Sequence, residues 1–267
     1  MPVITLLTDF GIKDEYVGIM KGVILSINPS ASIVDISHLI LPHDIVNAAY
    51  LTNYYYKYFP EGSIHVVVVD PGVGSNRAIL AAEVNGHYFI APDNGVLTLL
   101  LEEEKICKIV KLDKNEWFLK PLSNTFHGRD IFAPIAAQLS KEKSIEELGT
   151  PIDKNTVVTV KIPKPEMSDS QELVGEIVSI DRFGNLVTNI DSKTLNEFSS
   201  NLNKKDFQII IGKNKIEYLS SSYANAGEKN PLAIIGSRGF LEIAINQGSA
   251  EQYLNAKKGA KIRIVKK

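Results

Sequence analysis

The chain has 267 residues, enough for one large or two modest domains with a proper core. Its 44% hydrophobic and 22% charged content is that of a soluble globular protein. A formal charge of −2 argues against a dedicated nucleic-acid binder, and no apolar run approaches the ~20 residues of a membrane span. The single cysteine, Cys107, cannot form a disulfide within the chain, which fits a reducing compartment. Its apolar setting reads as that of a small buried hydrophobe. Residues 1–8 lack the basic start of a signal peptide, so a cytoplasmic protein is expected.

Residues 3–8, VITLLT, read as an apolar strand that ends at Thr8-Asp9-Phe10-Gly11. A helix follows, with Val17, Met20, Val23, Ile24 and Ile27 at helical spacing, and Asp14 is placed to cap it. A second strand spans 31–37. Pro42-His43-Asp44 then starts another helix, which runs to about Phe59. The valine run 66–69 marks a buried central strand, followed by Asp70, a Pro-Gly-Val-Gly turn and Arg77. ILAAEV and HYFIAP flank Asn85-Gly86, the strongest short-range hairpin signal. Asp93-Asn94-Gly95 opens a further helix. Phe126-His127-Gly128-Arg129-Asp130 precedes the apolar helix IFAPIAAQL, with Pro134 expected in its first turn.

Strand–helix alternation over residues 1–60 calls for a mostly parallel sheet with helices on its faces. Residues 150–172 change character, with three prolines and many polar residues. From Glu172 onward, short strands alternate with turns, the pattern of a small β-barrel or sandwich. The expected organisation is an α/β domain over 1–155, a linker over 156–171 and a C-terminal β domain over 172–267.

Several residues invite chemistry. Ligands in open α/β sheets bind beyond the carboxyl ends of strands, where Asp70 and Arg77 are expected. The plain alternative is a turn carboxylate beside a solvated Arg. Asp9 has the same strand-end place, which suits a ribose diol and equally suits turn capping. His127 lies in a loop of small and charged residues, whereas His38, His43 and His65 sit near turns or strand starts. None forms an HxxxH or HxH pair, so metal-ligand spacing is absent. P-loop, GxGxxG and GxSxG patterns are absent too. In the second domain, Asp181-Arg182-Phe183-Gly184-Asn185 joins two strands and reads first as a hairpin turn. Gly236-Ser237-Arg238-Gly239 offers a hydroxyl, a guanidinium and backbone amides, a suitable cradle for a carboxylate.

Six segments in order, TDFG, VVDPGVGSNR, APDNG, FHGRD, IDRFGN and GSRG, nearly span the chain. Together they resemble the S-adenosylmethionine hydrolases (adenosine-forming), relatives of the bacterial fluorinase and chlorinase. The resemblance implies an N-terminal α/β domain with a mostly parallel central sheet and a small C-terminal β-barrel domain. It also implies a homotrimer with inter-subunit sites, and S-adenosyl-L-methionine as substrate, with adenosine and L-methionine as products. Asp70, Arg77 and His127 match the hydrolases' water-activating set. Asp9 matches the ribose-binding carboxylate. Asp181 matches the group that takes the methionine ammonium, and Ser237 and Arg238 those that take its carboxylate. Asn185 matches an adenine partner, and Phe183 and Tyr223 the aromatic residues flanking the base. Asp14 and Tyr16 fall in the loop over the methionine moiety. Neither cofactor nor metal is implied.

Departures from the halogenases favour water as nucleophile. Asp70 stands where the fluorinase has a tyrosine, and Gly128 where it has a halide-contacting serine. A carboxylate in that pocket repels halide. The fluorinase's long N-terminal insertion is also missing, since Val84 to Tyr88 is a short turn. A halogenase and a non-catalytic S-adenosylmethionine or adenosine sensor are the competing readings.

Overall fold

The computed structural model describes residues 2–103, 106–199, 206–217 and 219–267. The chain divides into two compact units, Met1–Ile162 and Pro163–Lys267. In the first, the elements run β1 (Val3–Thr8), α1 (Tyr16–Ile27), β2 (Ser32–Ser37), α2 (Ile45–Tyr55), β3 (Ile64–Val68), β4 (Ile79–Val84), β5 (His87–Pro92), α3 (Thr98–Glu103), β6 (Ile106–Lys111), α4 (Ala133–Leu139), α5 (Ile145–Leu148) and β7 (Thr150–Pro151). Cys107 lies in β6, but its side chain is outside the described set.

These strands form one sheet in the order β2-β1-β3-β5-β4-β6-β7. The pairings β2·β1, β1·β3 and β3·β5 are parallel, and the rest are antiparallel. The central strands β1 and β3 are mostly apolar and buried at nearly every position, because both faces are covered. Ile64, Val66 and Val68 of β3 face a core shared with Met20 and Ile24 of α1 and with α4. Val67 and Val69 face the opposite core, with Ala48 and Tyr55 of α2 and Leu100 of α3. From β1 the chain goes out to β2 on one side, then returns to β3 on the other. The crevice at the carboxyl ends of β1 and β3 is therefore a topological switch point, the usual place for a ligand in such sheets. Thr8 and Val68 end the two strands in register, so Asp9 and, one position further on, Asp70 emerge at the same end of the sheet.

Three expectations change here. Asp14 does not cap α1: the N-cap is Glu15, with no side-chain capping bond, because the chain turns into the helix one residue later. The helix after His127 begins before Ile131, through a wide π-turn over Gly128–Phe132 that continues into α4. Pro134 is thus inside a continuous helix. It has no N–H to give the Asp130 carbonyl four residues back, and that carbonyl accepts from Leu119 N–H instead, at 2.8 Å. His65 lies inside β3, fully buried, and tertiary folding pairs it with His87, although no sequence spacing links them.

Asn85 and Gly86 both take positive φ, as a two-residue hairpin turn between antiparallel β4 and β5 requires. Residues 156–162 fold onto the first unit. Val157 joins the α2–α3 core, and Ile162 packs with Ala49 and Leu99.

The second unit runs β8 (Glu166–Met167), β9 (Leu173–Ile180), β10 (Leu186–Asp191), α6 (Ser192–Phe198), β11 (Phe207–Ile211), β12 (Asn214–Ile216), β13 (Leu219–Ser220), β14 (Pro231–Ile235), β15 (Phe240–Ile245), α7 (Ala250–Leu254) and β16 (Lys261–Lys266). The strand order is β12-β11-β16-β9-β10-β15-β14-β13, antiparallel except for β13·β14, with β8 added beside β9. This sheet is nearly closed and barrel-like, wrapped around a mainly aliphatic core that includes Ile177, Leu186, Ile209, Ile243 and Ile264. The short helices α6 and α7 are capped by Asp191 and Ser249, signals that the strand pattern alone obscured.

Candidate active site

A cavity of about 310 Å³ opens at the switch point, lined by Asp9, Phe10, Tyr16, Pro42, His43, Val68, Asp70, Val73, Thr125, Phe126, His127 and Gly128. Phe10, Tyr16 and Phe126 form an aromatic cluster, with Tyr16 and Phe126 edge-to-face at 5.0 Å. Asp14 is exposed and lies outside this wall. Asp9 Oδ2 accepts the His43 backbone N–H at 2.9 Å, a bond between two loops, while Thr8 Oγ1 accepts the Phe10 N–H in the turn after β1. His43 adopts φ +67° at that contact.

Asp70, Arg77 and His127 meet as one unit. Arg77 clasps Asp70 in a bidentate ion pair, its Nε donating to Oδ1 at 2.7 Å and its Nη2 to Oδ2. The same Nη2 faces His127 Nδ1 at 3.0 Å. Both members of the ion pair are more than nine-tenths buried. Arg77 does not itself line the cavity, whereas Asp70 and His127 do. Guanidinium is always a donor, so the His127 nitrogen facing it is an acceptor. The neutral ring then carries its proton on Nε2. Burial first, and Arg77 second, push the His127 pKa below its ordinary value, against Asp70 and Asp130.

Local sequence explains the placement. Gly74 takes φ +76°, and its backbone passes so close to the Asn124 carbonyl that no Cβ fits. This contact seats the 70–77 loop against the segment leading to His127. Asp130, fully buried, accepts Ser123 N–H at 2.7 Å and an Arg129 Nε–H at 2.6 Å, which pins that segment from below. Among the described residues, no three His, Cys, Asp or Glu side chains converge as metal ligands.

The other predicted residues gather on the second unit, around a cavity of about 690 Å³. Asp181, Phe183, Asn185, Tyr223, Ser237 and Arg238 all line it. Asp181 organises the first loop: Oδ1 accepts Phe183 N–H at 2.8 Å and Asn185 N–H at 2.9 Å, and Oδ2 accepts Asn185 Nδ2–H at 2.9 Å. Ser237 and Arg238 occupy the middle of a four-residue turn closed by Gly239 N–H to Gly236 carbonyl, at 2.9 Å. Phe183 and Tyr223 are exposed aromatic faces, as a stacking surface would be. Glu242, buried in the same wall, was not anticipated. Its only sequence signal is a lone charge in the apolar run FLEIAI.

With this geometry in place, comparison with known proteins is decisive. The family model described as the SAM hydroxide adenosyltransferase N-terminal domain matches residues 4–149, and that of the C-terminal domain matches residues 175–263. The chain belongs to the SAM hydroxide adenosyltransferase family. Its relatives include the (R)-S-adenosyl-L-methionine hydrolase of Methanocaldococcus jannaschii, 36% identical, covering 99% of this chain and 96% of the relative. The enzyme of the same name from Thermus thermophilus is 32% identical, covering 97% of this chain and 98% of the relative. A fluorinase of Nocardia brasiliensis is more distant, 28% identical with 98% of this chain and 96% of the relative covered. Among solved structures, an uncharacterized conserved protein from Thermotoga maritima superposes with TM-score 0.91 at 36% identity, covering 99% of this chain and 100% of that one. Both family domains, with their loops in order, are therefore present. Among the described residues, no helix is long and apolar enough to cross a membrane.

Proposed function

We propose that this chain hydrolyses (R)-S-adenosyl-L-methionine to adenosine and L-methionine, by in-line attack of water on the ribose 5′ carbon. The observation that carries the reading is a carboxylate and a neutral imidazole on one cavity wall, both held from behind by a single guanidinium. Sulfonium is a good leaving group, so no acid is needed at sulfur. The task is to place and activate one water in a largely apolar cavity. Water oxygen bonds to the 5′ carbon as the carbon–sulfur bond breaks and its electron pair stays on sulfur, and one proton leaves the water.

Because His127 Nδ1 is occupied by Arg77, its Nε2–H is the edge left to donate to the water oxygen. That leaves Asp70 as the proton acceptor; two of its lone-pair sites point to Arg77 and others remain for water. Arg77 then acts through both partners, fixing their geometry. Asp9 holds the ribose hydroxyls, with Asp14 and Tyr16 in the loop near the methionine chain. Asn185, Phe183 and Tyr223 take adenine. Asp181, Ser237 and Arg238 take the amino-acid end. No cofactor or metal enters this scheme.

The same reading assigns a cytoplasmic homotrimer, the N-terminal domain of one subunit facing the C-terminal domain of a neighbour. Light scattering at a mass of three chains checks that assignment. The reaction is tested by incubating protein with S-adenosylmethionine in oxygen-18 water. Adenosine labelled at its 5′ oxygen, plus methionine, is expected, and Asp70→Ala and His127→Ala should abolish it. Binding without adenosine would leave a sensor, and 5′-halo-5′-deoxyadenosine formed on adding halide would leave a halogenase.

A further inference from the structure

Glu242 is the single charged residue of β15 and only 6% exposed. Its carboxylate is on the wall of the C-terminal cavity together with Asp181 and Arg238. The fold makes deliberate room for it. It stands opposite Ile234 of β14 in the ladder, and two residues on, Gly236 lies so close that any Cβ there would land on Glu242 Oε1. The Tyr223 hydroxyl donates to Oε2 at 3.4 Å, a long contact.

A carboxylate buried in a cavity wall needs a reason, since burial disfavours its charge. Burial and the Asp181 carboxylate push Glu242 up from the ordinary range, with Arg238 and the Tyr223 hydroxyl opposing. Asp181 and Arg238 offset each other in charge, as a receptor for an amino-acid zwitterion would. Glu242 therefore leaves the wall with net negative charge. A zwitterion does not need that excess. An amino-acid ligand bearing an additional cationic centre does.

We propose that Glu242 is the residue by which this pocket prefers a cationic sulfonium ligand over its neutral thioether counterpart. The inference rests on the substrate reading above and adds to it a specificity determinant. An S-adenosyl sulfonium with ionised amino-acid ends carries net positive charge, and the thioether of the same shape carries none. An uncompensated carboxylate in a low-dielectric wall separates the two by Coulomb attraction, which shape alone cannot do.

The test uses two probes that cannot be hydrolysed by this route: sinefungin, which keeps a cation at the sulfur position, and S-adenosylhomocysteine, the thioether. Calorimetry at pH 8 on the full chain should give tighter binding of sinefungin. Glu242→Gln keeps the size and the Tyr223 contact. It should weaken sinefungin about tenfold while changing S-adenosylhomocysteine by less than about twofold. Glu242→Asp should restore most of the preference. Equal affinities in the wild-type protein, binding of neither probe, or parallel loss of both in the Gln variant overturns the proposal. Adenosine release from S-adenosylmethionine, measured on the same preparation, reports on the hydrolase reading separately. A protein that prefers sinefungin through Glu242 but makes no adenosine sinks only that reading. One that makes adenosine without the preference sinks only this one.

Discussion

Acid should unfold the N-terminal unit through one buried histidine. His65 has no exposure. Its Nδ1 bonds Thr5 Oγ1 at 2.8 Å and its Nε2 bonds His87 Nδ1 at 3.2 Å. Tyr55, Phe59 and Phe89 surround the ring at 5.4, 5.8 and 4.9 Å. Burial, then the neighbouring His87, lowers its pKa from 6.5 to about 3. The unfolded chain therefore binds a proton that the folded chain refuses between those values. Stability from this group is fully present above pH 6.5 and is lost as pH falls toward 3. At ~1.4 kcal/mol per pH unit, the loss reaches about 2–3 kcal/mol at pH 4.5 and about 5 kcal/mol when complete.

Urea unfolding followed by fluorescence of Trp117, the sole tryptophan, reads the first unit directly. The perturbation is His65→Leu, compared with wild type at pH 7.5 and pH 4.5. The variant should start less stable, having lost two hydrogen bonds, yet lose about 2–3 kcal/mol less on acidification. His87, also held below its usual value by burial with Glu61 opposing, remains in both proteins. If both proteins lose the same stability between the two pH values, the reasoning is wrong.

Arg77→Ala should strand the buried Asp70 carboxylate, costing about 3–5 kcal/mol in urea unfolding and abolishing turnover. Arg77→Lys should recover much of the stability but little turnover, because an ammonium cannot clasp Asp70 bidentately and reach His127 at once. The pH profile of adenosine formation should hold its plateau below pH 6.5 before falling, since burial and Arg77 depress His127; a midpoint above 6.5 would contradict the neutral-ring assignment. Gly74→Ala combines φ +76° with a Cβ driven onto the Asn124 carbonyl and should cost about 2 kcal/mol or more, with turnover falling as the 70–77 loop shifts.

What the sequence determined by itself was whatever local chemistry controls. Valines on consecutive positions of 66–69 mean a strand buried on both faces, and Asn85-Gly86 means a tight hairpin, because few backbones satisfy those residues otherwise. The turn residues of 181–185 and 236–239 announced two loops, and the order of the matching segments announced the family. Tertiary structure decided what depends on contacts far apart in the chain. Strand register carried His65 against His87, and the β14–β15 ladder put Glu242 beside Gly236. Pro134 could sit inside a helix only because Leu119 supplies the N–H that satisfies Asp130. Arg77 reads from sequence as a side chain that meets water. Folding instead sets it behind Asp70 and His127, since a guanidinium can satisfy two acceptors only where both converge on it.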